Sequence, residues 1–268
     1  MLRLIFVWVL FAVSSSYGQT LNRMFVDIRF QYQSWDTDIK DLELTVNGIE
    51  KVFTKDDIER MSEGHRFHTT FMKLGADLGY RLTDCLDFEL GGGLAFVNHE
   101  STHDDPGQSH ELVTRKPGFY SYLASHYTIP IVGKLTATLS PDITYYAIDD
   151  LHGVGQNEDA IGLDDYDFRH SLISWRAKVY FGYDLDWLSP YAGLLYYDYN
   201  EKVKYEGKTF PDAFGDVYKI ERTLTYTPFS HLGAVLGASM ELGGKKQLLV
   251  EAVVGRVVDL RTKVRILF

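Results

Sequence analysis

Val26-Asp27-Ile28-Arg29-Phe30-Gln31-Tyr32-Gln33 alternates without a break. Its even positions are Val26, Ile28, Phe30 and Tyr32, and its odd positions are Asp27, Arg29, Gln31 and Gln33. Successive strand side chains point to opposite faces, so this strand separates an apolar surrounding from a polar one. The same pattern returns in Met72, Leu74, Ala76, Leu78 and Tyr80 against Lys73, Asp77 and Arg81. It returns again in Leu86, Phe88, Leu90, Leu94 and Phe96 against Asp87 and Glu89. Further copies are Ile173, Trp175, Ala177, Val179 and Phe181 against Arg176 and Lys178, then Leu248, Val250, Ala252 and Val254 against Glu251, and lastly Val264, Ile266 and Phe268.

Working outward from that period, the strands expected are 24–35, 66–81, 85–98, 117–128, 133–147, 169–183, 190–201, 218–241, 247–257 and 259–268. Pro228 interrupts the eighth of them. Several match the roughly 9–11 residues that a tilted membrane-crossing strand needs. The expected connections alternate in length. Short turns fall near residues 82–84, 128–132, 184–189 and 243–246, and long polar loops at 36–65, 99–116, 148–168 and 202–217. Aromatics gather at both ends: Tyr80, Tyr127, Tyr183, Trp187 and Tyr191 beside the short turns, and Tyr32, Trp35, Phe96, Tyr145 and Tyr199 beside the long loops. Two interfacial girdles are laid out in this way.

The start of the chain reads as an address. Arg3 precedes the apolar run Leu4–Val13, and Ser16-Tyr17-Gly18 closes it with small residues, so 1–18 is expected to be a secretory signal peptide and 19–268 the folded domain. A lone cysteine, Cys85, excludes an internal disulfide. A formal net charge of −10 argues against nucleic acid as a partner.

These features, with the terminal Lys263-Val264-Arg265-Ile266-Leu267-Phe268, resemble bacterial outer-membrane β-barrel proteins. The resemblance is to the class and covers the mature chain. It implies a transmembrane antiparallel up-and-down barrel of about ten strands, with eight or twelve as neighbours. It further implies an outer-membrane location, contact with membrane lipid and lipopolysaccharide, and assembly machinery that takes the last strand by Phe268. A secreted soluble barrel, apolar face inward, is the competing reading.

In a barrel of this kind the polar faces fill the lumen. Asp27, Arg29, Lys73, Asp77, Arg81, Asp87, Glu89, Arg176, Lys178, Glu251 and Lys263 are expected there, with nearly balanced signs. Opposite charges in so narrow an interior pair, because an unpaired buried charge is costly. The expectation is a mostly plugged interior with at best a thin water path. A wide porin needs roughly 16 strands or more.

Other constellations carry less. Seven acids (Asp149, Asp150, Glu158, Asp159, Asp164, Asp165 and Asp167) make an acidic outer loop, expected to lie among lipopolysaccharide-bound divalent cations. His65, His68, His99, His103 and His110 are scattered in the outer segments without a defined ligand spacing. Gly91-Gly92-Gly93 lacks the Lys and helix of a phosphate loop, and reads as close packing in the wall. No cofactor is expected. Two hydrolase readings stand beside the leading non-enzymatic one, a narrow channel or a structural, surface-interacting barrel. Asp36, Asp38, Asp150 and His152 resemble the acid pair and Asp-His pair of omptin-type outer-membrane proteases, and are expected just past strand ends at the rim. His99-Glu100-Ser101 has the His-x-Ser spacing of outer-membrane lipid hydrolases, but parity places His99 on the lumen side and Thr102 stands where those families have Asn.

Overall fold

The alternation folds as its period dictates. The structure, a computed structural model, describes residues 23–63, 65–103, 110–114, 117–155, 167–208, 219–228 and 231–268. The signal-peptide expectation (1–18) and the acids Glu158, Asp159, Asp164 and Asp165 lie outside the described residues. In chain order the elements are β1 (Met24–Val46), β2 (Ile49–Val52), α1 (Lys55–Ser62), β3 (His65–Thr83), β4 (Leu86–His103), β5 (His110–Thr114), β6 (Gly118–Val132), β7 (Leu135–Gly155), β8 (Asp167–Tyr183), β9 (Leu188–Lys208), β10 (Lys219–Pro228), β11 (Leu232–Gly243), β12 (Lys246–Gly255) and β13 (Val257–Leu267). All strand pairings are antiparallel, and β13 pairs with β1 from Phe25↔Leu267 to Trp35↔Val257, closing the sheet.

At the end that carries the termini the ring runs β1-β3-β4-β6-β7-β8-β9-β11-β12-β13, which makes ten strands. Towards the other end the ring changes. The tight connection from Gly255 to Val257 stops the β12–β13 hairpin early. Past it, β10 bridges β9 and β1 directly, from Thr37↔Pro228 outward on one side and Tyr226↔Glu201 on the other. Pro228, which cannot donate to a ladder, stands where the expected strand 218–241 divides into β10 and β11 with different neighbours. The expected strict alternation of loop lengths therefore fails at this last outer turn. The outer ring has eight strands, and eight strands enclose only enough room for side chains.

The strands also outrun their expected ends. β1, β4, β7 and β9 continue as ladders well past the apolar band, taking in stretches read from sequence as loop. An alternating sequence satisfies backbone groups as long as a neighbour exists, and each long strand here has one. Outside, Ile28, Phe30, Leu74, Leu90, Leu123, Leu194, Leu236 and Val250 are exposed and form the apolar band. Tyr127, Tyr183, Trp187 and Phe268 border it at the short turns, and Phe96, Phe119, Tyr145 and Tyr196 at the far side. Trp35 and Tyr199, expected in a girdle, are buried inside instead, and Tyr191 packs against the inner cluster. Their odd positions in β1 and β9 put them there. In the wall, a Cβ on Gly75 would run into the Tyr120 hydroxyl and the Gly92 carbonyl, so the glycines of β3 and β4 let the Tyr120 ring lie against the sheet.

Past β1 the chain turns back as β2 and α1. Thr54 and Asp57 form a capping box, which satisfies orphan N–H groups at the start of α1. The Thr54 hydrogen bonds hold the Asp57 carboxyl below the usual carboxylate range. Ile58 of α1 is buried with Leu42, Val203, Leu224 and Tyr226, so the helix lies over the outer mouth.

Candidate functional site

Two places concentrate chemistry, the lumen and a polar edge on the outer wall. In the lumen, Asp27, Arg29, Lys73, Asp77, Glu89, Arg176, Lys178, Glu251 and Lys263 are all buried. Arg81 and Asp87 sit at the inner mouth, paired at 3.1 Å, with Arg81 exposed.

Bonds cross the interior in layers. Nearest the short turns, Lys263 Nζ donates to Glu89 at 2.7 Å and Arg265 Nη2 to Asp27 at 3.0 Å. The Arg29 guanidinium pairs with Asp77 and stacks 3.6 Å over the Tyr122 ring. Asp27, Asp77 and Glu89 bring carboxylate oxygens within 4.8 Å of one another, a spacing a cation could use, but Arg29, Lys263 and Arg265 already neutralise them. In the middle layer, Arg176 donates to Asp142 and to Asp259, each at 2.8 Å, Gln31 donates to Asp259 at 2.8 Å, and Lys178 to Glu251 at 2.9 Å. Asp142, Asp259 and Arg261 were not singled out in the sequence, although they share the inward parity of their strands, and Gln31 lies on the polar face read for β1.

Above the charges comes an aromatic layer. Phe71 meets Tyr146 edge-on at 4.2 Å, and Trp35 meets Tyr199 at 5.4 Å. Above that, Glu201 accepts from His170 Nε2 at 2.8 Å and from Thr69 Oγ1 at 3.0 Å, and His99 Nδ1 lies 3.6 Å away. Sequence reasoning set His99 on the lumen side, weighed His170 only with Ser171, whose side chain takes the opposite face, and passed over Glu201; the inward parity of Glu201 on β9 and His170 on β8 is the signal that joins them. Among the described residues little space is left. A cavity of about 150 Å³ opens at the inner mouth beside His126, Lys178, Glu251, Lys263 and Arg265. Between Trp35, Tyr199, Arg176 and Asp259 only about 20 Å³ remains, room for about one water.

Of the four groups expected to make a rim protease, the side chains of Asp36 and Asp38 are described. Asp36 and Asp38 lie inside β1, not past its end, and both are exposed on the outer face. A strand's i, i+2 residues share a face, and this face looks away from the lumen. Asp150 and His152 also lie within a strand, β7, with His152 opposite Val113 of β5; their side chains are outside the described set.

What Asp36 does have is a partner. It stands directly across from His68 of β3, and Asp36 Oδ1 lies 2.9 Å from His68 Nδ1. The other ring nitrogen, Nε2, lies 2.8 Å from Ser34 Oγ, two residues back along β1 on the same face. A carboxylate only accepts, so Nδ1 carries the proton and the neutral ring's Nε2 accepts from the serine. Thr70 stands opposite Ser34, and Asn98 of β4 opposite Thr70, so a short polar row crosses three strands. Just below it on the same face are Phe30, Tyr32 and Met72. Sequence reasoning noted His68 beside a loop and missed its contact with Ser34, because the partners are 34 residues apart.

No family model and no curated protein matches the chain. Among solved structures it is similar to the outer-membrane protease OmpT of Escherichia coli, at 8% identity over 93% of this chain and 98% of that one, with a TM-score of 0.45. It is also similar to the outer-membrane protein OprG of Pseudomonas aeruginosa, at 10% identity over 91% and 95%, with a TM-score of 0.43. The transport unit of the autotransporter AIDA-I of Escherichia coli gives 10% identity over 94% and 93%, with a TM-score of 0.43. At this level no activity transfers from any of them. The closed sheet, the apolar outer band and the charged, paired interior make the chain an antiparallel β-barrel of membrane-spanning architecture.

Proposed function

We propose that this barrel is closed to solutes and that its function lies on its wall and outer surface. The observation that carries this reading is the filled cross-section. Arg29 with Tyr122, then Arg176 with Asp142 and Asp259, then Phe71 with Tyr146, occupy successive levels of the same lumen. Opening a path means breaking buried charge pairs, at about 3–5 kcal/mol for each partner left alone. The narrowing from ten strands to eight, with Ile58 of α1 over the mouth, supports the same reading.

The surface contacts follow from chemistry. The apolar band and its aromatic borders suit membrane lipid, and the acidic residues beyond β7 suit the divalent cations held by lipopolysaccharide. The last strand, with Phe268 just past its end, is the segment that assembly machinery takes. Swelling of proteoliposomes in small sugars tests the closed interior. Swelling at the rate of protein-free vesicles is expected; faster swelling that depends on folded protein overturns the proposal.

A further inference from the structure

We infer that Ser34, His68 and Asp36 form a serine-hydrolase triad on the outer wall, which cleaves acyl esters of membrane lipids. Three observations carry it. The first is the relay itself: Ser34 Oγ to His68 Nε2 at 2.8 Å, and His68 Nδ1 to Asp36 Oδ1 at 2.9 Å. A nucleophile, a base in hydrogen-bond reach and a carboxylate orienting the base are the geometric definition of such a triad, whatever the fold or chain order.

The second is rigidity. All three residues sit within ladders, with Asp36↔His68 and Ser34↔Thr70 in direct register, so their spacing is set by the sheet and not by a loop. Thr70 also places a hydroxyl on the same face as Ser34, where it can donate to an oxygen that becomes negative beside the attacked carbon.

The third is the level in the membrane. Ser34 stands one outward position above Tyr32, and Thr70 one above Met72. Two residues along a strand tilted by about 40° rise roughly 5 Å. Lipid ester carbonyls lie just outside the hydrocarbon core, which is the height this rise reaches. The acyl chain then lies against Phe30, Tyr32 and Met72. Side-chain exposures of 38% for His68 and 69% for Asp36 leave the site open to lipid on one side and to water on the other.

The chemistry balances with water alone. Ser34 Oγ attacks the ester carbonyl while His68 Nε2 takes its proton, so a carbon–oxygen bond forms to the serine. The bond to the glycerol or sugar oxygen breaks, and His68 returns the proton to that leaving oxygen. Water, deprotonated by His68, then attacks the acyl-serine and releases a fatty acid with Ser34 restored. Asp36 is a positioning residue that holds the ring and its tautomer.

The test is folded full-length protein in mixed micelles, with either a bacterial phospholipid or lipid A as substrate, scored by fatty-acid release. A fluorophosphonate probe is read separately by mass spectrometry. Release from one of the two lipids is expected, and the arm that yields it names the source of the ester. Ser34→Ala is expected to lower release by about a thousandfold or more. Asp36→Asn is expected to lower kcat by about tenfold to a thousandfold with KM little changed, and to slow labelling in proportion. The probe on the unmodified chain is expected to leave its adduct on Ser34, a result that requires no variant to fold. Absence of release from both lipids, absence of an adduct at Ser34, or release unaltered in a Ser34→Ala variant that retains heat-modifiable mobility overturns the proposal.

Discussion

The two faces of β1 make opposite use of polar side chains. Inward, Asp27, Arg29, Gln31 and Gln33 are buried and tied to Arg265 and Asp259 of β13 on one side and Asp77 of β3 on the other. Outward and only a few residues further on, Ser34 and Asp36 reach one neighbour, His68, and face the surroundings. The inner set is bound on several sides at once, and such groups stiffen a structure. The outer set is held at its base by the sheet and left open in front, which is the condition for meeting a substrate. A polar residue in this barrel is therefore read first by parity and then by what surrounds it.

The largest effect that can break this comparison is on stability. Glu89→Ala leaves Lys263 and Arg265 to share Asp27, with one buried positive charge uncompensated, and is expected to cost about 3–5 kcal/mol. Asp36→Ala removes an exposed partner, and is expected to cost under about 1 kcal/mol. Denaturant unfolding of the protein from liposomes, followed by tryptophan fluorescence, measures both. Similar losses for the two erase the distinction between the faces.

A middle-sized effect concerns the cover of the lumen. Ile58→Ala is expected to cost the lid about 2 kcal/mol, at the low end for a buried aliphatic because α1 packs by one side only. Hydrogen exchange is expected to quicken in Lys55–Ser62 and at the outer mouth, with protection along β1 and β3 in the apolar band unchanged. Thr54→Ala removes the capping box and is expected to loosen the same helix by about 1 kcal/mol.

The smallest effect is one of pH. The Asp57 carboxyl is held low by Thr54, so its share of the lid's stability is present above the ordinary carboxylate pKa. That share is lost as pH falls through the lowered value in the fold. Exchange of α1 is expected to rise on acidification below about pH 4, and Asp57→Asn is expected to flatten this dependence.

Much of the frame was legible in the alternation. The strand faces, the inward charges and the all-β class follow from period two, because each residue's face depends only on its own strand. What was not legible depends on how strands meet. Pro228 marked an interruption, yet only the pairing of β10 with β1 shows that it divides the strand between two rings. The aromatics near strand ends were assigned to girdles by position, and parity turns Trp35 and Tyr199 inward. The contact of Ser34 with His68 arises from a register between β1 and β3 that no local pattern announces. Asp36 was singled out from an i, i+2 pair whose shared face was foreseen, but which face depends on where the strand continues, and β1 continues to Val46.

The central claim is that the interior is filled and the working surface is outside. Planar-bilayer recording of the folded protein tests it most directly. The account predicts a baseline without discrete conductance steps at either polarity. Reproducible steps from the unmodified protein contradict it.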